Sequence, residues 1–257
     1  MNEVLDTRVL GALRWVDAVT GAPIMRPLAV RGPGLRFTRN LSGLTVITHA
    51  AGLEAYARTF DLGTLPADQV VPNGDVTLTA DVEDPSGIYL PRRFTLELPR
   101  NASPDVLPPD GRRPPGSLFT PIDVTLLPSP AARLAPGCAE VRVLIQTPAG
   151  QGIRHALARV VASSGGAVLG CGLADERGEA LVAIPGLKHF APGPTADEVV
   201  SVETEARLEI VLPPANATIV DWTVLRGSPV AAGHTDPRPL RLKPGALLSR
   251  RFPFPPV

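Results

Sequence analysis

Proline is the feature that most limits how this chain can fold. The 257 residues include 30 prolines, about twice the usual ~5%. Proline has no backbone N–H to donate and breaks the interior of a helix. Hydrophobic residues nevertheless make up 44% of the chain, far more than a disordered polymer carries. We therefore expect a folded protein built from short strands rather than from helices.

Apolar and polar residues alternate in the segments between the prolines. The alternation is clearest in segments 76–82, 94–98, 141–146 and 202–210, and a period of two is typical of half-buried strands. Turn-forming pairs such as Asn73-Gly74 separate these segments at short intervals. The pattern predicts an all-β fold of the sandwich or barrel type.

A weak internal repeat indicates more than one module. The spacing around Gly21 recurs around Gly150, and the spacing around Gly43 recurs around Gly178. Either the two halves are related modules or common turn chemistry produces the match by chance. We predict two tandem Ig-like or transthyretin-like β-sandwich domains, joined by a Pro-rich linker. The predicted segments are a first domain at 1–127 with a long Pro-rich loop at 99–121, a linker at 128–137, and a second domain at 138–257 with a Pro-rich tail.

The charge balance argues against several classes of partner. Lys and Arg together number 25, as do Asp and Glu, so no net charge draws the chain toward nucleic acid or an anionic lipid surface. No apolar run approaches the ~18 residues of a membrane span. The acids Glu3 and Asp6 lie where a signal peptide has a basic region. We expect a cytoplasmic protein that binds neither nucleic acid nor membrane.

Motifs for catalysis or cofactor binding are missing from the sequence. The four histidines have no metal-binding spacing, no serine lies in a GxSxG turn, and no glycine-rich phosphate loop occurs. Cys138 and Cys171 adjoin apolar stretches, which favours two small buried side chains over a redox or metal pair, and the sequence leaves their pairing open. The expectation is a non-enzyme without a cofactor, although a hydrolase with dispersed carboxylates stays open.

An acidic cluster is the strongest candidate for a small ligand. Asp81 and Glu83 fall on one face of a predicted strand, and Asp84 begins the turn that follows. Three carboxylates in this arrangement are candidates for a Ca²⁺ site at the tip of a sandwich. The simpler interpretation is a solvent-facing strand and an Asp-Pro-Ser-Gly turn that need no ion.

The proline-rich loop and tail are the candidate contacts with protein partners. Long loops inside compact domains are usually functional. The tail from Arg250 onward is either a polyproline ligand for a partner or an edge segment packed against its own domain. The candidate partner-binding residues are Pro108, Arg112, Arg113, Arg250, Arg251, Phe252 and Phe254.

Residues 158–187 resemble the carboxypeptidase regulatory-like, or transthyretin-like, β-sandwich. The resemblance rests on a D-x-x-G turn leading into an alternating strand, formed here by Asp175, Gly178, Ala180, Val182 and Ile184. Such modules imply binding, spacing or structural roles rather than catalysis.

The opening segment 17–23 is similar to accessory proteins of phage tails and contractile injection systems. Its Asp-Ala-x-Thr-Gly-x-Pro pattern leads us to expect a structural or adaptor subunit of a phage-tail-like particle. Such a subunit would contact other protein subunits, among them further copies of itself. The alternative is a stand-alone carbohydrate- or peptide-binding sandwich, assisted by Ca²⁺.

Overall fold

The computed structural model describes residues 9–54, 56, 73–101, 116–188, 190–192 and 199–254. These residues form mostly short strands and include the helix α1 (Trp222–Gly227), so the predicted all-β fold of the sandwich type is confirmed. No helix within these ranges is long and apolar enough to cross a membrane. The strands are β1 (Gly11–Asp17), β2 (Ala29–Arg31), β3 (Leu35–Arg39), β4 (Thr45–Ala50), β5 (Val76–Glu83), β6 (Arg92–Leu98), β7 (Ile122–Leu126), β8 (Ala139–Gln146), β9 (Leu157–Ala162), β10 (Val168–Leu173), β11 (Glu179–Ile184), β12 (Phe190–Pro192), β13 (Val199–Ser201), β14 (Thr204–Val211), β15 (Leu240–Leu242) and β16 (Leu247–Pro253).

Internal contacts divide the chain into two compact units. Unit 1 comprises the described residues within Met1–Asp17, Ala22–Pro85 and Arg93–Leu126. Unit 2 comprises those within Ala18–Gly21, Ser86–Arg92 and Leu127–Val257. The domain limits 1–127 and 138–257 stay a prediction.

Unit 1 contains two sheets, with strand orders β3-β4-β1-β7 and β2-β5-β6. The alternation that predicted its strands places Phe94, Leu96 and Leu98 in the core, each at most 2% exposed. Trp15 lies edge-on to Phe94, with ring centroids 5.8 Å apart. The Trp15 indole N–H donates to the Thr45 hydroxyl at 2.9 Å, so the one polar atom of this buried ring is satisfied.

Unit 2 contains sheets with strand orders β10-β9-β14-β15 and β11-β8-β16, together with the pair β12-β13. Their inward residues, among them Val141, Val160 and Leu208, form one continuous apolar core. Strand β10 crosses β11 so closely that a Cβ atom at Gly172 would lie 2.2 Å from the Leu181 carbonyl oxygen. The Gly-Cys-Gly sequence of β10 therefore serves close backbone packing.

The two units share most of their strand order. The sets β4-β1-β7 and β2-β5-β6 of unit 1 correspond to β11-β8-β16 and β9-β14-β15 of unit 2. In each unit the first strand pairs in parallel with the last, β1 with β7 and β8 with β16. The third strand differs, because β3 pairs with β4 whereas β10 pairs with β9. Gly43 and Gly178, which the sequence repeat aligns, lie in equivalent turns and both have positive φ.

The segment predicted to be a linker is partly packed inside unit 2. Pro128, Ser129 and Pro130 are buried, and the Ser129 N–H donates to the Ile88 carbonyl at 2.8 Å. Tyr89 and Pro128 form an isolated bridge. The prolines at the start of this stretch pack beside a strand-like segment, and the linker at 128–137 stays a prediction. Of the predicted loop at 99–121, residues 102–115 lie outside the described part of the chain.

Candidate interaction surface

Strand β16 forms one edge of its sheet in unit 2. It pairs in parallel with β8, from Leu247 opposite Glu140 to Pro253 opposite Gln146. The strand order β11-β8-β16 leaves its other side without a paired strand among the described residues. An edge of this kind presents backbone donors and acceptors to which another strand can bind.

The two faces of β16 differ in burial, and this corrects part of the sequence prediction. Phe252 and Phe254 are 5% and 6% exposed and belong to the core of unit 2. Their rings meet edge to face at 5.5 Å. They were predicted to bind a partner, but they are buried against their own unit because even-numbered positions of this strand face the core. The tail therefore follows the alternative interpretation, an edge segment packed against its own domain.

The backbone groups of β16 also alternate between its two sides. The Ala246 carbonyl accepts from the Glu140 N–H at 2.8 Å, and the Phe254 N–H donates to the Gln146 carbonyl at 2.7 Å. Even-numbered residues therefore bond to β8, and the N–H and C=O groups of Leu247, Ser249 and Arg251 point away from it. Pro253 is also at an outward position, where the missing N–H interrupts no bond to β8.

Two arginine side chains cover the outward carbonyls of this edge. Arg238 Nη2 donates to the Arg251 carbonyl at 3.1 Å, and Arg250 Nη1 donates to the Ser249 carbonyl at 3.3 Å. These contacts satisfy acceptors that a neighbouring strand would otherwise use. The edge is thus protected by cationic side chains, as exposed edges commonly are.

Arg238 is held in place by a buried carboxylate. Its Nε and Nη2 atoms each lie 2.9 Å from an oxygen of Asp236, whose side chain is 1% exposed. Burial alone would raise the pKa of Asp236, but the hydrogen bonds and charge of Arg238, with the charge of Arg250, lower it below its ordinary value. The carboxylate is therefore ionised and fixes the arginine beside the edge.

A shallow depression of about 640 Å³ adjoins the same edge. Pro237, Arg238, Arg251, Phe252 and Pro253 contribute to its lining. Arg251 also donates from Nε to the Gln146 side-chain oxygen at 3.0 Å. Of the predicted residues, Arg251 therefore lines this depression, and Arg250 and Arg251 both lie on the open strand edge. Their role in partner binding stays a prediction.

The C-terminal segment carries an excess of positive charge. After Asp236 the sequence contains five basic residues and no further acid, the basic residues being Arg238, Arg241, Lys243, Arg250 and Arg251. Asp236 pairs with Arg238, and Lys243 pairs with Glu203 at 2.8 Å. The neutral chain thus has a locally cationic edge.

The three calcium candidates do not converge on one site. Asp81 is engaged by Arg93 in a two-pronged ion pair, with N–O distances of 2.8 and 2.9 Å. The Asp84 side chain is 1% exposed and lies 3.8 Å from Arg26, while Glu83 is exposed at the end of β5. Within the described ranges no three His, Cys, Asp or Glu side chains gather as a metal site. The predicted cluster is wrong in its geometry, because arginines neutralise two of its members.

The remaining residues singled out from the sequence are three in the Pro-rich loop and the two cysteines. Pro108, Arg112 and Arg113 lie outside the described residues. Cys138 and Cys171 are both free thiols, and burial raises the pKa of Cys171 to about 11. The sequence pattern did not single out Arg238 and Asp236, although the Asp-Pro-Arg order that brings the two side chains together is visible in the sequence.

Comparison with known proteins does not assign a family. No family model matches the sequence, and no curated protein matches it. Among solved structures, the Bacillus anthracis TIE protein shares 9% identity at a TM-score of 0.28, over 96% of this chain and 34% of that one. The Streptococcal ancillary pilin shares 10% identity at a TM-score of 0.27, over 84% and 49%. The chain thus spans about a third and about half of the length of these two proteins.

Proposed function

We propose that the chain is a non-catalytic structural subunit that binds neighbouring protein subunits through the open edge of β16. One observation carries the proposal: the outward N–H and C=O groups of Leu247, Ser249 and Arg251 have no paired strand among the described residues. A strand added from another subunit would pair with this edge, and it would take over the Ser249 carbonyl from Arg250. The exposed Leu247 side chain, 62% accessible, adds apolar area at the start of the same edge.

The particle that we propose is phage-tail-like, of the contractile injection type, and assembled in the cytoplasm. The resemblance of segment 17–23 to accessory proteins of such particles supports this setting. The sandwich module that residues 158–187 resemble serves binding and spacing rather than catalysis.

The test uses a proline at an outward position of the edge. Ser249→Pro removes an N–H that does not bond to β8 and places a ring where a partner strand would pair. Ser249→Ala is the matched control, because it keeps the N–H. Both variants and the wild type carry an affinity tag in the native host, and the co-purifying proteins are identified by mass spectrometry.

We expect sheath, tube or baseplate proteins to accompany the wild type and Ser249→Ala. With Ser249→Pro, the amount of co-purifying particle proteins should fall at least about tenfold. The unfolding midpoint of this variant should not change, since an edge strand tolerates proline at an outward position. If Ser249→Pro fails to fold, Leu247→Lys replaces it, because a lysine on an edge strand discourages pairing. The proposal is overturned if no such particle proteins accompany the wild type, or if the folded edge variants retain them fully.

A further inference from the structure

We infer that the partner of the β16 edge is an acidic extended segment of another protein. The inference rests on the proposed function and adds the chemistry of the partner. It is carried by the two arginines that cover the outward carbonyls and by the absence of an acid from β16 itself, whose sequence is LLSRRFP.

A strand that pairs with this edge must take over the Ser249 carbonyl from Arg250. Arg250 holds that carbonyl by a bond of 3.3 Å and reaches the Pro239 carbonyl at 3.5 Å. Its Nε is buried and has no hydrogen-bond partner among the described residues. A neutral strand would deprive this guanidinium of an acceptor, whereas a carboxylate would give it a stronger, charge-assisted one.

The other covering arginine limits the length of the pairing. Arg238 keeps its two bonds to Asp236 and so remains over the Arg251 carbonyl. Pro253 offers no N–H beyond that point. A partner strand therefore pairs along Leu247 to Arg251. Because Arg250 and the exposed Arg251 lie on opposite faces of β16, acidic side chains on the two faces of the partner strand meet them.

A second copy of the chain is a poor occupant of the same edge. Pairing two β16 edges would bring two Arg250 and two Arg251 side chains into one short interface without an acid on either strand. Like charges on neighbouring strands destabilise a sheet. Charge complementarity thus favours a different, acidic strand over self-association.

The experiment compares two fluorescent peptides of roughly seven residues, the length of a typical strand. The acidic peptide has the sequence Thr-Val-Glu-Glu-Glu-Val-Thr, whose consecutive acids lie on both faces of a strand, and the neutral one has Gln in place of each Glu. Anisotropy titrations use the full chain at low salt and at about 0.5 M salt, where surface charges are largely screened. The variants are Arg250→Gln with Arg251→Gln, and Arg241→Gln as a matched arginine outside β16.

We expect the acidic peptide to bind about tenfold more tightly than the neutral one at low salt, with the preference lost at high salt. The Arg250→Gln, Arg251→Gln double variant should bind both peptides equally. Arg241→Gln should keep the preference, and Ser249→Pro should weaken the binding of both peptides.

Several outcomes would overturn the inference. These are equal binding of the two peptides by the wild type, no binding of either, or a preference that survives in the double variant. A dimer in sedimentation that Ser249→Pro dissociates would identify a second copy as the occupant instead. The co-purification test is independent of these results, so the edge can remain a binding site for particle proteins although its partner is not acidic.

Discussion

Breaking the ion pair between Arg159 and Glu209 should be one of the most destabilising single changes in unit 2. The two residues lie opposite each other on β9 and β14, with Nη2 and Oε2 2.8 Å apart and each side chain 11% exposed. Arg159 Nη1 also donates to the carbonyls of Arg226 and Ser228, at 2.7 and 3.0 Å. The arginine therefore joins the sheet to the C-terminal end of α1.

The cost of removing either charge follows from this burial. Breaking a buried ion pair costs about 3–5 kcal/mol, because it leaves an uncompensated charge. In Glu209→Gln, Arg159 keeps two carbonyl acceptors, so we expect a loss near the lower end, about 3 kcal/mol. Arg159→Met also loses the bonds to α1, and we expect about 4 kcal/mol. The double variant still loses the bonds to α1 but buries no unpaired charge, so its loss should not exceed the about 4 kcal/mol of Arg159→Met, which gives a coupling energy of at least about 3 kcal/mol.

Urea unfolding followed by tryptophan fluorescence measures these losses. The chain has two tryptophans, and Trp222 is buried in unit 2, where it packs with Leu157 in the same cluster. A Trp15→Phe background therefore lets Trp222 report on unit 2. The control is Arg207→Gln, which removes the other, 41% exposed arginine paired with Glu209 and should cost at most about 1 kcal/mol.

The reasoning is refuted if Glu209→Gln costs less than about 1 kcal/mol, as an exposed pair would. It is also refuted if the losses of the two single variants simply add in the double variant. Amide exchange gives a second check, because it should rise in α1 for Arg159→Met and not for Glu209→Gln.

Two further variants test other close contacts of unit 2. Gly172→Ala should cost at least about 2 kcal/mol in urea unfolding, because its Cβ would lie 2.2 Å from the Leu181 carbonyl oxygen. Gly227→Ala is the control, since its Cβ meets nothing within 4 Å. Equal urea midpoints for the two variants would contradict the steric argument. Asp236→Asn should lower the urea midpoint at neutral pH. Because the folded state lowers the pKa of this carboxyl, its contribution is present above the ordinary value and is lost as pH falls through the folded one. The difference in urea midpoint between Asp236→Asn and the wild type should therefore shrink as pH drops below about 4. A difference that is constant with pH would exclude ionisation of Asp236 as its source.

The strands that the sequence predicted best are those with one face in a core. Segments 76–82, 94–98 and 141–146 lie within β5, β6 and β8, because burial of alternate side chains leaves a direct mark on the sequence. The turn at Asp175 was also predictable from the sequence, because the Asp175 side chain accepts from the Arg177 and Glu179 N–H groups and closes the D-x-x-G turn.

The parallel pairings of β1 with β7 and of β8 with β16 could not be predicted from the sequence pattern. Each joins strands separated by most of a unit, and periodicity describes only one strand at a time. The calcium cluster failed for a related reason. Asp81 and Asp84 are close in sequence, but the arginines that neutralise them come from other segments, Arg93 and Arg26.

The proline-rich tail shows how one strand can both close a core and keep an edge open. Its even positions place Phe252 and Phe254 in the core, so the strand is anchored by burial rather than by pairing on both sides. Pro253 occupies an odd position, where the absent N–H would have pointed outward. The proline content that argued against a central strand is therefore compatible with an edge strand. It also sets where a partner strand must stop, which leaves Leu247 to Arg251 as the length of edge on which the proposed assembly contact depends.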